Sequence, residues 1–161
     1  MNLKLVRRPV APAPALNQDQ KQVVEFRGRA LVHGAAGTGK TTIIKAFIDG
    51  LEEKSKGKIP VAVTAPTHKA VKVISATTDK KGFTVHKLLG LRPNIDIEKV
   101  SQGDLEFDPK NPPLMPNYEG GYVIIDEASM LNKVISGRIK ELATRYNVKL
   151  LFMGDPAQLP P

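Results

Sequence analysis

Ala30-Leu31-Val32-His33-Gly34-Ala35-Ala36-Gly37-Thr38-Gly39-Lys40-Thr41-Thr42-Ile43-Ile44 is the stretch that decides the fold of this chain. A short apolar run, 30–33, enters a glycine-rich turn. The turn opens into a segment, 41–53, with Ile43, Ile44, Phe47, Ile48 and Leu51 at helical spacing. Strand, turn and helix in that order are the setting in which G-x-x-x-x-G-K-[ST] carries a physical meaning. Gly34, Gly37 and Gly39 let backbone N–H groups converge on phosphate oxygens where side chains would collide. The helix that begins near Lys40 directs its positive end at the same anion. Lys40 reaches the β- and γ-phosphates, and the Thr41 hydroxyl is a magnesium ligand. The expected nucleotide-binding set is therefore Gly34, Ala35, Ala36, Gly37, Thr38, Gly39, Lys40, Thr41 and Thr42, and the expected ligands are ATP and Mg2+.

The complementary half of such a site lies in Val123-Ile124-Ile125-Asp126-Glu127. An apolar strand ends in two adjacent carboxylates. At the carboxyl edge of a strand, Asp126 faces the crevice and holds magnesium, usually through water. Glu127 is placed to orient and deprotonate an attacking water. The plainer alternative is that the acids only serve the start of the next helix, which Ser129 could cap unaided. Further on, Gly154-Asp155-Pro156-Ala157-Gln158 follows another apolar run. Gln158 there either reports on the γ-phosphate or belongs to an ordinary Asp-Pro β-turn.

Between these motifs the chain alternates strand and helix. Runs 61–64, 122–125 and 148–153 are apolar on both faces. Segment 67–76 carries Ala70, Val71 and Ile74 on one face, and Leu131, Ile135, Ile139, Leu142 and Ala143 define a third amphipathic helix. Such alternation predicts an α/β fold, a parallel sheet with helices on both faces. Segment 91–118 breaks the rhythm. Its two strand-like runs flank a Gly-containing turn and predict a small β-hairpin insertion. Residues 1–16, with Pro9, Pro12 and Pro14, predict an extended arm. Residues 17–27 predict a short helix capped by Asn17, with Gln20 three residues on. The chain stops at Pro161 with no closing helix, as a fragment of a longer protein would.

The 161 residues fit one domain, and 41% are hydrophobic, enough for a single core. There is no cysteine, which excludes disulfides and Cys-based zinc sites and fits a cytoplasmic chain. No apolar run is long enough to cross a membrane, and the N-terminus lacks the plan of a signal peptide. The formal charge of +8 attracts polyanions, nucleic acid first among them. With aromatics at 5% and no Trp, a multi-base stacking platform is not expected.

LNQDQ (16–20), GAAGTGKTT (34–42), TAPTHKAVKVI (64–74), TVHKLLG (84–90), VIIDEASM (123–130) and GDPAQLPP (154–161) resemble, in order, successive motifs of superfamily 1 DNA helicases of the RecD-like and phage Dda-like group. The resemblance spans residues 16–161 and implies a RecA-like P-loop NTPase, the first of two motor domains, in which strand 148–153 lies between strands 30–33 and 122–126. It implies that Gln20 reads the adenine, that Pro66, Thr67 and His68 contact single-stranded DNA, and that Thr84 and His86 make a second DNA contact. Gln20 and Thr67 have alternative duties as helix-capping residues, and His86 as a structural histidine. The insertion is similar in placement to the pin that such helicases set at a duplex junction, with Phe107 either stacking on a base or anchoring the insertion. Partners implied are single-stranded DNA, a duplex junction and replication or repair proteins. A monomer without membrane contact, in a bacterial or phage-infected cytoplasm, is expected. Motifs beyond the third, arginine fingers included, are absent from the 161 residues, so weak hydrolysis by this chain alone is expected. Movement in the 5′→3′ sense is implied for the full-length protein. The competing expectations are a P-loop phosphotransferase and a non-catalytic nucleotide- or nucleic-acid-binding module.

Overall fold

The computed structural model describes residues 30–33 and 40–154, with side chains from Thr42 onward in the second stretch. The expected arm, the 17–27 helix with Gln20, the turn Gly34 to Gly39 and Gln158 lie outside the described residues, as do the side chains of Lys40 and Thr41.

Five parallel strands form one sheet: β1 (Ala30–His33), β2 (Val61–Ala65), β3 (Gly82–Thr84), β4 (Tyr122–Ile125) and β5 (Lys149–Gly154), in the order β1-β5-β4-β2-β3. The last strand in sequence is thus inserted between β1 and β4, as expected. Helices α1 (Lys40–Ser55), α2 (His68–Thr78), α3 (Val85–Leu89) and α4 (Lys133–Arg145) connect and cover the strands.

Side chains alternate across a strand, and here both sets are apolar. Val63, Tyr122, Ile124, Leu151 and Met153 face α1 and α2, where Ile43, Ile44, Phe47, Ile48, Leu51 and Ile74 cover them. The Phe47 and Tyr122 rings meet edge to face, with centroids 5.2 Å apart. Ala62, Val123, Ile125, Leu150 and Phe152 face the other way, onto Leu88, Ile135, Ile139 and Leu142 of α3 and α4. Each large side chain so buried contributes about 1.5–3 kcal/mol, which explains why runs without alternation fold as central strands rather than as half-exposed ones. Thr64 and Thr84 are polar side chains buried within the sheet. Thr64 is satisfied there by donating to the Ile124 carbonyl at 3.0 Å.

Two features differ from expectation. Strand β3 was not foreseen, since Gly82-Phe83-Thr84 is too short to show a period; it forms by pairing Val63 with Gly82 and Ala65 with Thr84. The expected β-hairpin at 91–118 reduces to a single antiparallel bridge, Leu91 to Phe107. Pro93, Pro109, Pro112 and Pro113 remove ladder donors. Asp96 and Asp108 draw the N–H groups of Glu98 and Lys110 into local turns at 3.0 and 2.9 Å. Ile97 and Val100, which look like strand residues, are buried in the core from these turns. The excursion is closed at its base by Gly90, whose left-handed backbone (φ +71°) packs against Pro113, where an added Cβ would stand 2.8 Å from the ring.

Candidate functional site

Among the described residues, the carboxyl edge of the sheet gathers Pro66, Thr67, Asp126 and Glu127, which directly follow strand ends. Register fixes their depth: His33 pairs with Gly154, Phe152 with Ile125, and Ile125 with Thr64. The end of β1 at His33, the Asp126-Glu127 corner after β4 and the Pro66-Thr67 turn after β2 therefore lie at the same edge of the sheet. With β5 between them, β1 and β4 stand about 10 Å apart, two strand spacings. Helix α1 begins at Lys40, and the backbone N–H groups of its first turn have no partner within the helix.

Asp126 is held on both sides of its backbone. Its N–H donates to the Thr64 carbonyl at 2.9 Å, continuing the β4–β2 pairing one residue past the strand. One carboxylate oxygen, Oδ1, accepts from the Glu127 N–H at 2.9 Å. The side chain is 8% exposed, a buried carboxylate at a strand end. Glu127 adopts φ +54°, ψ +38°, the left-handed region, which costs a residue with a Cβ about 1–2 kcal/mol. The chain then makes a short 3-10 turn, Ala128–Met130. Neither acid caps α4. That role falls to Asn132, whose Oδ1 accepts from the Ile135 N–H at 3.0 Å, and not to Ser129. The capping alternative for the two acids is thereby corrected: the helix begins too far downstream for them to reach it.

Among the described residues no group of three or more His, Asp or Glu side chains is assembled as a metal cage. A single strand-end carboxylate could hold magnesium together with nucleotide, since that ion takes one or two protein oxygens and fills its shell with phosphate and water. Asp126 is such a carboxylate, and Thr41 is the second residue of α1.

Pro66 is buried, and Thr67 and His68 are exposed at the start of α2. Thr67 caps that helix, accepting from the Ala70 N–H at 3.2 Å. Thr84 and His86 are set deeper. Thr84 is 4% exposed and accepts from the Lys87 N–H at 3.4 Å as the cap of α3. His86 is half-buried, with Nε2 at 2.7 Å from the Ile95 carbonyl. The His86 side chain thus meets the excursion, and the Thr84 side chain caps the helix that carries His86. Phe107 is 47% exposed, and the Arg138 guanidinium of α4 lies over its ring at 5.2 Å. Sequence reasoning passed over Asn132 and Arg138. The signal for Asn132 was present, an Asn directly before an amphipathic run.

Against known proteins, the chain matches a family model described as AAA domain over residues 15–161. It is 31% identical to the ATP-dependent DNA helicase dda of Enterobacteria phage T4, over 91% of this chain and 31% of that protein. It is 33% identical to the RecBCD enzyme subunit RecD of Buchnera aphidicola subsp. Schizaphis graminum, over 81% of this chain and 22% of that subunit. Among solved structures, the Pif1 helicase from Candida albicans superposes with a TM-score of 0.59 at 25% identity, covering 91% of this chain and 34% of that one. The chain thus spans about a third or less of the length of these relatives. No helix among the described residues is long and apolar enough to cross a membrane.

Proposed function

The chain belongs to the AAA domain family, as a RecA-like motor domain of the kind found in RecD-like and Dda-like superfamily 1 helicases, and from that premise we propose that it binds Mg-ATP at the carboxyl edge of its sheet and powers movement on single-stranded DNA. The observation that carries this reading is the Asp126-Glu127 corner, set one strand away from the strand that leads into the phosphate turn. Asp126 and the Thr41 hydroxyl would hold magnesium, which would supply charge neutralisation to the phosphates of the nucleotide. Lys40 adds positive charge on the same oxygens. Glu127, held on a left-handed backbone, takes a proton from the attacking water. Gln158 senses the γ-phosphate, and Gln20 reads the adenine.

Single-stranded DNA lies across the turn after β2, at Pro66, Thr67 and His68. Thr84 and His86 act behind that surface, through the excursion that they support, and Phe107 meets the junction. Residues 17–161 form one motor unit preceded by the 1–16 arm, with a second RecA-like unit supplying the arginine fingers. In the full-length protein this yields duplex unwinding with 5′→3′ movement in the cytoplasm. The 161 residues by themselves bind nucleotide and turn it over slowly, since arginine fingers are worth about 10³–10⁵ in rate.

ATP turnover by the purified chain, with and without single-stranded DNA and beside Lys40→Ala, tests the reading. Slow turnover that rises with DNA and disappears in the variant is expected. Turnover or nucleotide binding indifferent to Lys40 would refute it.

A further inference from the structure

Asn132 stands five residues beyond Glu127 and makes more bonds than a helix cap needs. Its Oδ1 accepts from the Ile135 N–H at 3.0 Å, which is the cap. Its Nδ2 donates to the Val100 carbonyl at 2.6 Å, and its backbone N–H donates to the Ile97 carbonyl at 3.2 Å. The amide orientation follows from these partners, because Ile135 offers only a donor and Val100 only an acceptor. Both carbonyls belong to the 91–110 excursion, far away in sequence.

The path from Glu127 to Asn132 is short and tightly bonded. Met130 N–H donates to the Glu127 carbonyl at 3.0 Å, and Leu131 N–H to the Ala128 carbonyl at 3.1 Å. Ala128 and Leu131 are buried in the same core cluster as Leu91, Ile97 and Val100 of the excursion. On its other flank the excursion is tied to α3 by the His86 Nε2 contact with the Ile95 carbonyl at 2.7 Å and by the Leu91 N–H to the His86 carbonyl at 2.8 Å. The carbonyls of Ile95, Ile97 and Val100 are thus gripped from two elements, one of which begins at the proposed hydrolytic carboxylate.

We propose that Asn132 is a positioning residue that couples the nucleotide state of the Asp126-Glu127 corner to the 95–104 part of the excursion. This rests on the ATP-binding reading above. When the corner moves, the 3-10 turn and Asn132 move with it, and the two carbonyls of the excursion follow. Packing alone would tolerate sliding; the short Nδ2 bond, with its required direction, does not.

Asn132→Asp separates the two duties. Aspartate caps a helix as well as asparagine does, but it presents an oxygen, not a donor, to the Val100 carbonyl. Amide hydrogen exchange of the 161-residue chain, with and without Mg-ATPγS, supplies the readout. In the unaltered chain the analogue should slow exchange in α1 and change it in 95–104 by about fivefold, the factor expected of one hydrogen bond gained or lost. In Asn132→Asp, analogue affinity, the α1 response and the protection of α4 should persist while the response of 95–104 falls, only the backbone bond to Ile97 remaining. Asn132→Ser, which also caps but cannot span to Val100, should behave alike and serves if the first variant does not fold. A 95–104 segment indifferent to nucleotide while α1 responds would overturn the coupling alone, as would equal responses in all three chains. Failure of α1 to respond at all would overturn the ATP-binding reading and the coupling with it.

Discussion

The carboxylate of Asp126 accepts a hydrogen bond from the backbone of its neighbour Glu127, 2.9 Å away, and Glu127 takes up a left-handed conformation in the same corner. Adjacent acids on an extended strand would point to opposite faces. The left-handed residue ends that alternation and leaves both acids in one corner at the edge of the sheet. The two tasks proposed above, holding a metal and activating water, fall to residues adjacent in sequence.

Replacing the second acid tests the assignment. Glu127→Gln should bind ATP as before and hydrolyse it about 10²–10⁴-fold more slowly, the usual worth of a positioned base. Glu127→Gly should be equally inactive yet more stable than Glu127→Gln by about 0.5–1 kcal/mol, since glycine occupies the left-handed region without steric cost. Turnover assays and denaturant midpoints check the pair. A glycine variant no more stable than the glutamine one would mean that the corner stores no strain.

Gly121 and Gly137 should respond to alanine in opposite ways. A Cβ at Gly121 would collide with the Pro60 carbonyl oxygen, where the turn before β4 crosses the end of the α1–β2 loop. The loop is pinned by the Tyr122 N–H bond to that same carbonyl at 2.9 Å, so it has little room to yield. Gly121→Ala should cost about 1–3 kcal/mol. Gly137 lies within α4 with nothing near the added methyl, and Gly137→Ala should gain about 0.8–1 kcal/mol from helix propensity. Thermal unfolding of both variants decides.

How far the sequence carried the fold depends on the kind of signal. Strands β2, β4 and β5 were visible because burial on both faces forces unbroken apolar runs such as Tyr122–Ile125. The placement of β5 came from the family resemblance, since strand order leaves no mark on any single segment. β3 was invisible because three residues carry no period and the pairing with β2 is made only in the folded sheet. Ile95, Ile97 and Val100 suggested a strand because they are apolar and closely spaced. Turn-forming Asp96 and nearby prolines override that spacing, a contest that local pattern does not settle. At the site, Asp126 and Glu127 were legible as a motif. The bonds of Asn132 to Val100 and Ile97 were not, because both acceptors are main-chain carbonyls and any residue could have supplied them.

Thr67 has a visible duty and a proposed one, and two substitutions separate them. Its hydroxyl caps α2, so Thr67→Ala should lose about 1 kcal/mol of stability. Thr67→Asn retains a capping oxygen and should keep that stability. If the exposed turn also meets single-stranded DNA, Thr67→Asn should still weaken binding by about fivefold, the worth of one hydrogen bond. Fluorescence anisotropy with a labelled oligonucleotide supplies the comparison, and unchanged affinity in Thr67→Asn would leave the residue a cap alone.

Phe107 is set apart from the core aromatics by its exposure, and the Arg138 guanidinium lies over its ring. An exposed cation–π pair is worth about 0.5–1 kcal/mol, so Phe107→Ala should unfold only slightly earlier than the unaltered chain. Stacking on a base is worth more, about 1–3 kcal/mol. If Phe107 stacks at a junction, Phe107→Ala should lose roughly fivefold or more in affinity for forked DNA, with affinity for a plain single strand little changed. Phe107→Tyr should restore the loss, and Phe107→Leu should not, because leucine keeps the apolar surface without the ring. The anchoring alternative reverses the pattern: Phe107→Leu would rescue stability, and no variant would distinguish forked from single-stranded DNA. Arg138→Gln adds an independent arm. Losing the guanidinium leaves the ring free to stack, so fork affinity should hold or rise if Phe107 works on DNA, and fall together with stability if the pair only fastens the excursion to α4.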